Sequence, residues 1–157
     1  VQGMKSTYKR HGTINLFAAL EVATGTIRGK TTQTKKRADF QVFMDEVVAD
    51  QPANRQIHVI LDNYCTHKKN EDWLAAHPNV TFHFTPTSAS WLNQVEIWFG
   101  IFQRKTLSNA SFSSVAQLAD AIRAFTDAYN QNAAPFVWRK REVRGAQLRN
   151  TIVNLRN

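Results

Sequence analysis

The segment QIHVILDNY, residues 56–64, decides the fold class that the sequence predicts. Its centre is an apolar run interrupted only by His58, and a run of this kind is typical of a β-strand that is buried on both faces. The run ends on Asp62, which places this carboxylate at the carboxyl end of the predicted strand. In open α/β sheets ligands bind at that edge, so Asp62 is the first candidate site residue.

Predicted strands and helices alternate around this segment. Residues 13–22 and 26–33 flank an Ala-Thr-Gly turn and predict a β-hairpin, and the alternation of Phe with polar residues predicts a strand over 79–86. Apolar residues at helical spacing predict the remaining elements, which are helices over 35–50, 68–78, 88–107 and 113–132. This order of strands and helices predicts one α/β domain with a mixed sheet.

A second carboxylate, Glu96, follows Asp62 by 34 positions and lies in the predicted helix over 88–107. The apolar stripe of that helix is predicted to contain Trp91, Val95, Trp98, Phe99 and Phe102. At a rotation of about 100° per residue, Glu96 lies about 140° from Trp91 and therefore flanks the stripe. A helix packed on the sheet would be able to turn Glu96 toward the strand end that carries Asp62.

Two carboxylates brought together repel each other unless a cation lies between them. The hard divalent ions Mg²⁺ and Mn²⁺ prefer oxygen ligands of this kind. Two such ions about 3.5–4 Å apart activate a water or hydroxyl and stabilise the leaving oxygen of a phosphodiester. Other interpretations stay open at this point, because an Asp at a strand end is often only a turn residue and a Glu on a helix is usually solvated.

The charge distribution favours a polyanionic partner. The chain of 157 residues has a net charge of +8, with eight Lys or Arg against one acid in residues 1–37 and six against one in 138–157. Residues 38–137 carry ten acids and six basic residues. A basic rim around an acidic centre suits a protein that binds nucleic acid phosphates and also gathers carboxylates, although solvated basic flanks would give the same pattern.

The composition predicts one cytoplasmic domain. The chain is 43% hydrophobic, has no stretch of membrane-helix length and shows no signal peptide. A single cysteine, Cys65, excludes an internal disulfide and fits a reducing compartment. Cys65 with His67 as a thiol nucleophile and base, or the five histidines with Cys65 as a zinc site, are weaker alternatives, since the spacings indicate neither contact nor paired ligands.

Three segments carry a resemblance to a known family. RHGTINLFAAL (10–20), HVILDNYCTHK (58–68) and FHFTPTSASWLNQVEIWF (82–99) resemble the catalytic domain of DDE transposases, and most of all the bacterial insertion-sequence branch of the mariner superfamily. The resemblance runs from Tyr8 to Trp138. It implies an RNase H-like fold, a mixed sheet flanked by helices, and an Mg²⁺- or Mn²⁺-dependent enzyme. That enzyme nicks transposon ends and joins the 3′-OH to target DNA, acts as a homodimer and is associated with the bacterial nucleoid.

The resemblance also assigns roles to residues. Asp62 matches the family's second catalytic acid and Glu96 its third, and both are metal ligands in this interpretation. Supporting motif positions match Asn63, His67, Ser90 and Asn93. The basic residues that we expect to contact DNA are Lys9, Arg10, Lys35, Lys36, Arg37, Arg104, Lys105, Arg139, Lys140, Arg141 and Arg144.

One departure from the family pattern bears on activity. The family's first acid lies on a strand before the hairpin, but no acid precedes Glu21 here. We therefore interpret residues 1–138 as a partial RNase H-like domain without its first strand, followed by a basic tail over 139–157. The chain is expected to be an inactive C-terminal fragment of a transposase. The alternative is a non-catalytic remnant that binds DNA or assembles with other subunits.

Overall fold

A computed structural model describes residues 12–86, 93–108 and 110–135 of the chain. These residues form four strands and four α-helices in the order β1 (Asn15–Leu20), β2 (Ile27–Thr32), α1 (Arg37–Ala49), β3 (Ile57–Leu61), α2 (Glu71–Ala76), β4 (Val80–Phe84), α3 (Val95–Phe102) and α4 (Val115–Gln131). A short 3₁₀ turn, Cys65–His67, follows β3, and a π-helical turn, Gln103–Leu107, continues α3. The predicted α/β class is confirmed. Among the described helices, none has the length and apolar content needed to cross a membrane.

The predicted hairpin is present and turns on a required glycine. Strands β1 and β2 pair antiparallel from Asn15 opposite Thr32 to Leu20 opposite Ile27. Gly25 in the turn has a φ of +76°, and a Cβ added there would lie 1.9 Å from the carbonyl oxygen of the segment that follows α4. Only glycine fits, because both the backbone conformation and the close approach exclude a side chain.

Helices cover both faces of the hairpin. Side chains alternate along a strand, so Leu16 of β1 faces α3 and α4 while Phe17 faces α1. The cluster on the first face has Trp98 at its centre, with no exposed surface. Asn130 of α4 ties this layer together, because its side chain accepts a hydrogen bond from the Ile27 N–H at 2.8 Å and donates one to the Ile27 carbonyl at 2.8 Å.

Strands β3 and β4 pair parallel, but only one of their faces is buried. Helices α1 and α2 cover that face in a cluster of Phe40, Met44, Leu61, Trp73 and Val80. On the other face His58 and Ile60 are exposed, Ile60 to 48%. The prediction of a strand buried on both faces is therefore wrong, since in the described part of the chain both covering helices lie on one side.

The two strand pairs form two sheets where the sequence predicted one mixed sheet. Among the described strands, β1 pairs with β2 and β3 with β4, and no ladder joins the pairs. Helix α1 nevertheless packs against both, since Phe17 of β1 and Leu61 of β3 contact the same cluster. The RNase H-like fold implied by the resemblance has a further strand in the centre of its sheet. The described residues contain no strand of this kind, so none of them forms a strand that hydrogen-bonds to both pairs.

Helix α3 begins later than its apolar spacing predicted. Residues 93 and 94 form a bend and a turn, so the helix starts at Val95 rather than near Trp91. Ser90 and Trp91 lie outside the described residues. The rest of the predicted stripe is confirmed, because Trp98 and Phe102 are buried and Val95 and Phe99 pack against them.

Candidate active site at the carboxyl end of β3

Asp62 follows β3 directly, at the strand end where the sequence predicted it. Its side chain is 40% exposed. The Tyr64 N–H donates to Oδ1 at 3.1 Å, which makes Asp62 a turn residue as well. His67 Nδ1 lies 2.7 Å from the same oxygen. The second carboxylate oxygen, Oδ2, accepts no hydrogen bond from any residue that the structure describes, so it is available to a ligand.

His67 is positioned to orient this carboxylate. It ends the 3₁₀ turn, and its ring lies 4.7 Å from the Phe40 ring and 5.7 Å from the Tyr64 ring, measured between centroids. Both polar neighbours of Nδ1, the Asp62 carboxylate and the Asp62 carbonyl at 3.4 Å, are acceptors. Nδ1 therefore carries the proton, and Nε2 is left as an acceptor when the ring is neutral.

The loop between β3 and α2 is fixed by two asparagines. Asn63 donates to the Thr85 carbonyl and so ties the end of β3 to the end of β4. Asn70 is only 4% exposed, and its amide donates to the carbonyls of Thr66, His67 and Lys68 at 2.9–3.2 Å. Gln41 of α1 donates to the Asn70 side-chain oxygen at 2.9 Å. The loop that carries His67 is thus held against α1 as well as against β3.

Glu96 lies in the first turn of α3 and is exposed. A negative charge at this helix end is favourable because the helix dipole places partial positive charge there. Two residues later Trp98 anchors the helix in the core, while Asn93 and Gln94 precede it. Gln94 is 9% exposed, and its Oε1 has no hydrogen-bond partner among the described residues.

The described residues contain no cluster of three or more His, Cys, Asp or Glu side chains suited to a metal ion. The two predicted ligands are carried by separate elements, Asp62 after β3 and Glu96 on α3. Glu21, the first acid in the sequence, is used in the hairpin turn. Its carboxylate accepts from the Thr24 hydroxyl at 3.0 Å and from the Thr26 hydroxyl at 3.4 Å.

Part of the predicted basic surface lies beside Asp62. Lys35 is exposed, with its Nζ 5.1 Å from the centre of the Tyr64 ring, and hydrogen bonding to the Tyr64 side chain raises the pKa of Lys35. Arg37 Nε donates to the Lys68 carbonyl at 3.2 Å. Lys36, Arg104 and Lys105 are also exposed. The other predicted DNA-contacting residues lie outside the described part of the chain and are Lys9, Arg10, Arg139, Lys140, Arg141 and Arg144.

Sequence reasoning missed the residues that hold the site in place. Nothing in the pattern marked Asn70 or Gln41, because their contacts join segments about thirty positions apart. The Lys-Lys pair at 68–69 falls at the beginning of the helix that the sequence predicts over 68–78. In the structure both lysines belong to the loop before α2.

Comparison with known proteins gives two matches. The family model described as DDE superfamily endonuclease matches residues 2–119. The Insertion element IS630 uncharacterized 39 kDa protein of Shigella sonnei is 30% identical over 115 residues, which cover 71% of this chain and 33% of that protein. The chain thus spans about a third of the length of this curated relative. No solved structure gives a significant match.

Proposed function

Because the chain belongs to the DDE superfamily endonucleases, we propose that it serves divalent-metal-dependent DNA cleavage and strand transfer in transposition. The resemblance to the bacterial insertion-sequence branch of this superfamily is confirmed by the family match and by the insertion-element relative. Endonucleases of this superfamily generally use divalent metal ions. The proposed substrates are the transposon ends and the target DNA, and the proposed assembly is a homodimer.

The observation that carries the proposal is the state of the Asp62 carboxylate. It follows the carboxyl end of β3, the edge at which α/β sheets bind ligands, and one of its oxygens is bound by Tyr64 and His67, while the other accepts no hydrogen bond from the described residues. Glu96 is exposed and forms no ion pair within the described residues. Carboxylate oxygens fit Mg²⁺ or Mn²⁺, so Asp62 and Glu96 are the residues that would hold the ion.

The protein's own residues then have defined tasks. His67 donates from Nδ1 to Asp62 Oδ1 and so orients the carboxylate. Phe40 fixes the plane of the His67 ring, and Trp98 fixes α3 and with it Glu96. A bound divalent ion supplies activation of the attacking water or hydroxyl and stabilisation of the leaving oxygen. The exposed basic residues bind the phosphates on either side of the bond that is cut.

DNA binding is expected to be strong at low salt and to show little sequence preference. Each phosphate neutralised contributes about −0.9 to the slope of log affinity against log salt concentration. Neutralising Arg139, Lys140, Arg141 and Arg144 together is expected to weaken binding to all sequences alike. Binding that stays constant from low to high salt would contradict this part of the proposal.

We further propose that residues 1–157 alone do not turn over. Asp62 and Glu96 supply two carboxylates, and a positioning error of about 1 Å costs on the order of a hundredfold in rate. Glu21 lies in the turn of the hairpin, where the Thr24 and Thr26 hydroxyls both donate to its Oε2, and is not proposed as a third ligand. The test is a nicking assay with Mg²⁺ or Mn²⁺ on transposon-end DNA, using this chain and a version extended upstream to include an acid. Metal-dependent cleavage by this chain, abolished by Glu96→Gln, would overturn the proposal.

A second candidate function is non-catalytic DNA binding. The net charge of +8 supports it, since phosphate contacts need neither a metal ion nor the two carboxylates. The extended protein distinguishes the two candidate functions. If the function is DNA cleavage, Glu96→Gln abolishes nicking and leaves DNA affinity unchanged. If the extended wild type binds DNA in the presence of Mn²⁺ but does not nick it, the second is favoured.

A further inference from the structure

Two basic segments that are distant in sequence meet at the loop that follows Asp62. The first contains Lys35, Lys36 and Arg37, where α1 begins, and the second contains Lys68 and Lys69, in the loop before α2. All five side chains are exposed. We call these five residues the cationic rail. Its two segments are joined by the hydrogen bond from Arg37 Nε to the Lys68 carbonyl.

Hydrogen bonds tie the backbone of the second segment to α1. Asn70 donates to the Lys68 carbonyl and itself accepts from Gln41 of α1. The ring of Tyr64 lies next to the Lys35 ammonium, and the Tyr64 main-chain N–H binds Asp62. One residue thus contacts both the rail and the proposed metal ligand.

The rail gathers five like charges on one surface. None of its five side chains forms an ion pair with an acid in the part of the chain that the structure describes, although Glu71 and Asp72 follow closely in sequence. Lys69 also has a φ of +57°, a left-handed conformation that non-glycine residues adopt in only a few per cent of cases. Strained backbone of this kind clusters at ligand-binding sites.

We propose that the rail binds the phosphate backbone of the DNA strand next to the bond that is cut, with Lys68 and Lys69 as direct contacts and Tyr64 as a positioning residue for Lys35. This rests on the proposed function, since it takes Asp62 as part of the cleavage site. The second segment of the rail lies in the loop that Asp62 begins, so phosphates bound there would belong to DNA next to the proposed cleavage site. The Lys35 ammonium is charged at neutral pH, which suits this role.

The first test compares two double variants with the same charge change. Lys68→Gln with Lys69→Gln removes two rail charges, and Arg55→Gln with Arg123→Gln removes two charges elsewhere, Arg55 preceding β3 and Arg123 on α4. Duplex DNA binding is measured by fluorescence anisotropy across a salt series. In the rail variant the slope of log affinity against log salt concentration is expected to be smaller in magnitude by about two. The control variant is expected to change this slope much less.

The outcomes separate this proposal from the proposed function. If the wild type binds DNA in a salt-dependent way but the two variants have equal salt slopes, the proposed DNA contact of the rail is refuted and the proposed function stays intact. A wild-type chain without salt-dependent DNA binding would overturn both. Circular dichroism spectra of both variants that match the wild type ensure that a loss of binding is not a loss of fold.

The role of Tyr64 is tested by a double-mutant cycle with Lys35. Tyr64→Leu is expected to weaken DNA binding in the wild type but not in the Lys35→Gln background, because its effect passes through the Lys35 ammonium. Tyr64→Phe keeps the ring next to Lys35, so its DNA affinity is expected to lie between that of the wild type and that of Tyr64→Leu. An equal loss on Tyr64→Leu in both backgrounds would show that Tyr64 acts only on loop structure and would refute its positioning role.

Cys65 provides a direct probe of DNA near the rail. It is the sole cysteine of the chain, is exposed and lies next to Tyr64. An iron chelate attached to its sulfur is expected to cleave bound DNA at a few adjacent nucleotides. The same chelate on Arg55→Cys, in a Cys65→Ser background, is the control. Equal cleavage from both positions would contradict the placement of DNA along the rail.

Discussion

Substitutions of Trp98 test whether this buried side chain holds α3 in the core. It is fully buried and stacks parallel to Phe102 at 5.6 Å between ring centroids, but its Nε1 has no hydrogen-bond partner among the described residues. Trp98→Ala is expected to cost about 3–5 kcal/mol of unfolding free energy, a fall in Tm of roughly 6–20 °C. Because α3 carries Glu96, Mn²⁺ affinity should fall with stability in this variant.

Trp98→Phe is expected to behave differently. It leaves a cavity of about 40 Å³, which costs about 1 kcal/mol at about 24 cal/mol per Å³. It also removes a buried unpaired N–H whose burial costs about 1–3 kcal/mol. The two effects offset each other, so the unfolding free energy should stay within about 1 kcal/mol of the wild-type value.

Trp73 is the matched control. It is 8% exposed, and its Nε1 donates to Asp45 at 2.8 Å, so Trp73→Phe loses a charged hydrogen bond as well as volume. We expect Trp73→Phe to cost about 1–3 kcal/mol more than Trp98→Phe. Urea unfolding followed by circular dichroism measures both. If Trp98→Phe costs as much as Trp73→Phe, the Trp98 N–H has a partner and the reasoning fails.

Three further predictions concern the fold around the site. Gly25→Ala is expected to cost more than about 1 kcal/mol in urea unfolding, because an added Cβ has neither an allowed φ nor space; an unchanged midpoint would refute this. Asn130→Ala should cost about 1–3 kcal/mol, since it leaves the part-buried N–H and C=O of Ile27 unpaired; hydrogen exchange at the Ile27 N–H should accelerate. Hydrogen bonds from the Thr34 hydroxyl and then from a main-chain N–H lower the pKa of Asp39, so its stabilisation is present above the unfolded pKa and is lost as pH falls through the folded pKa. Thr34→Val should raise the pKa of Asp39 in an NMR titration, and an unchanged value would contradict this assignment.

Local sequence patterns were sufficient to predict most of the helices and strands. The Ala-Thr-Gly turn identified the hairpin, and helical spacing identified α1 and α4 to within a few residues. The start of α3 was missed because apolar spacing continues through Trp91, whereas the backbone turns at residues 93 and 94. Periodicity reports which residues are apolar but not where a helix begins.

Properties that depend on neighbouring elements were harder to predict. An apolar run cannot show how many of its faces a helix will cover, so the exposure of Ile60 on β3 was not anticipated. The position of Asp62 followed from the end of the run, but its contact with His67 depends on the 3₁₀ turn. The ties from Gln41 and Arg37 to the loop are long-range contacts, which local patterns do not contain.

The most direct test of the central claim, that Asp62 and Glu96 hold one divalent ion, is Mn²⁺ binding measured by titration calorimetry. Wild type, Asp62→Asn, Glu96→Gln and the double variant form a cycle, with Glu71→Gln in α2 as a control for loss of an exposed carboxylate. We predict that each single variant at the site lowers Mn²⁺ affinity at least about tenfold, that the double variant loses little more, and that the control binds like the wild type. Losses that add fully in the double variant, or single variants that bind Mn²⁺ like the wild type, would contradict a shared ion.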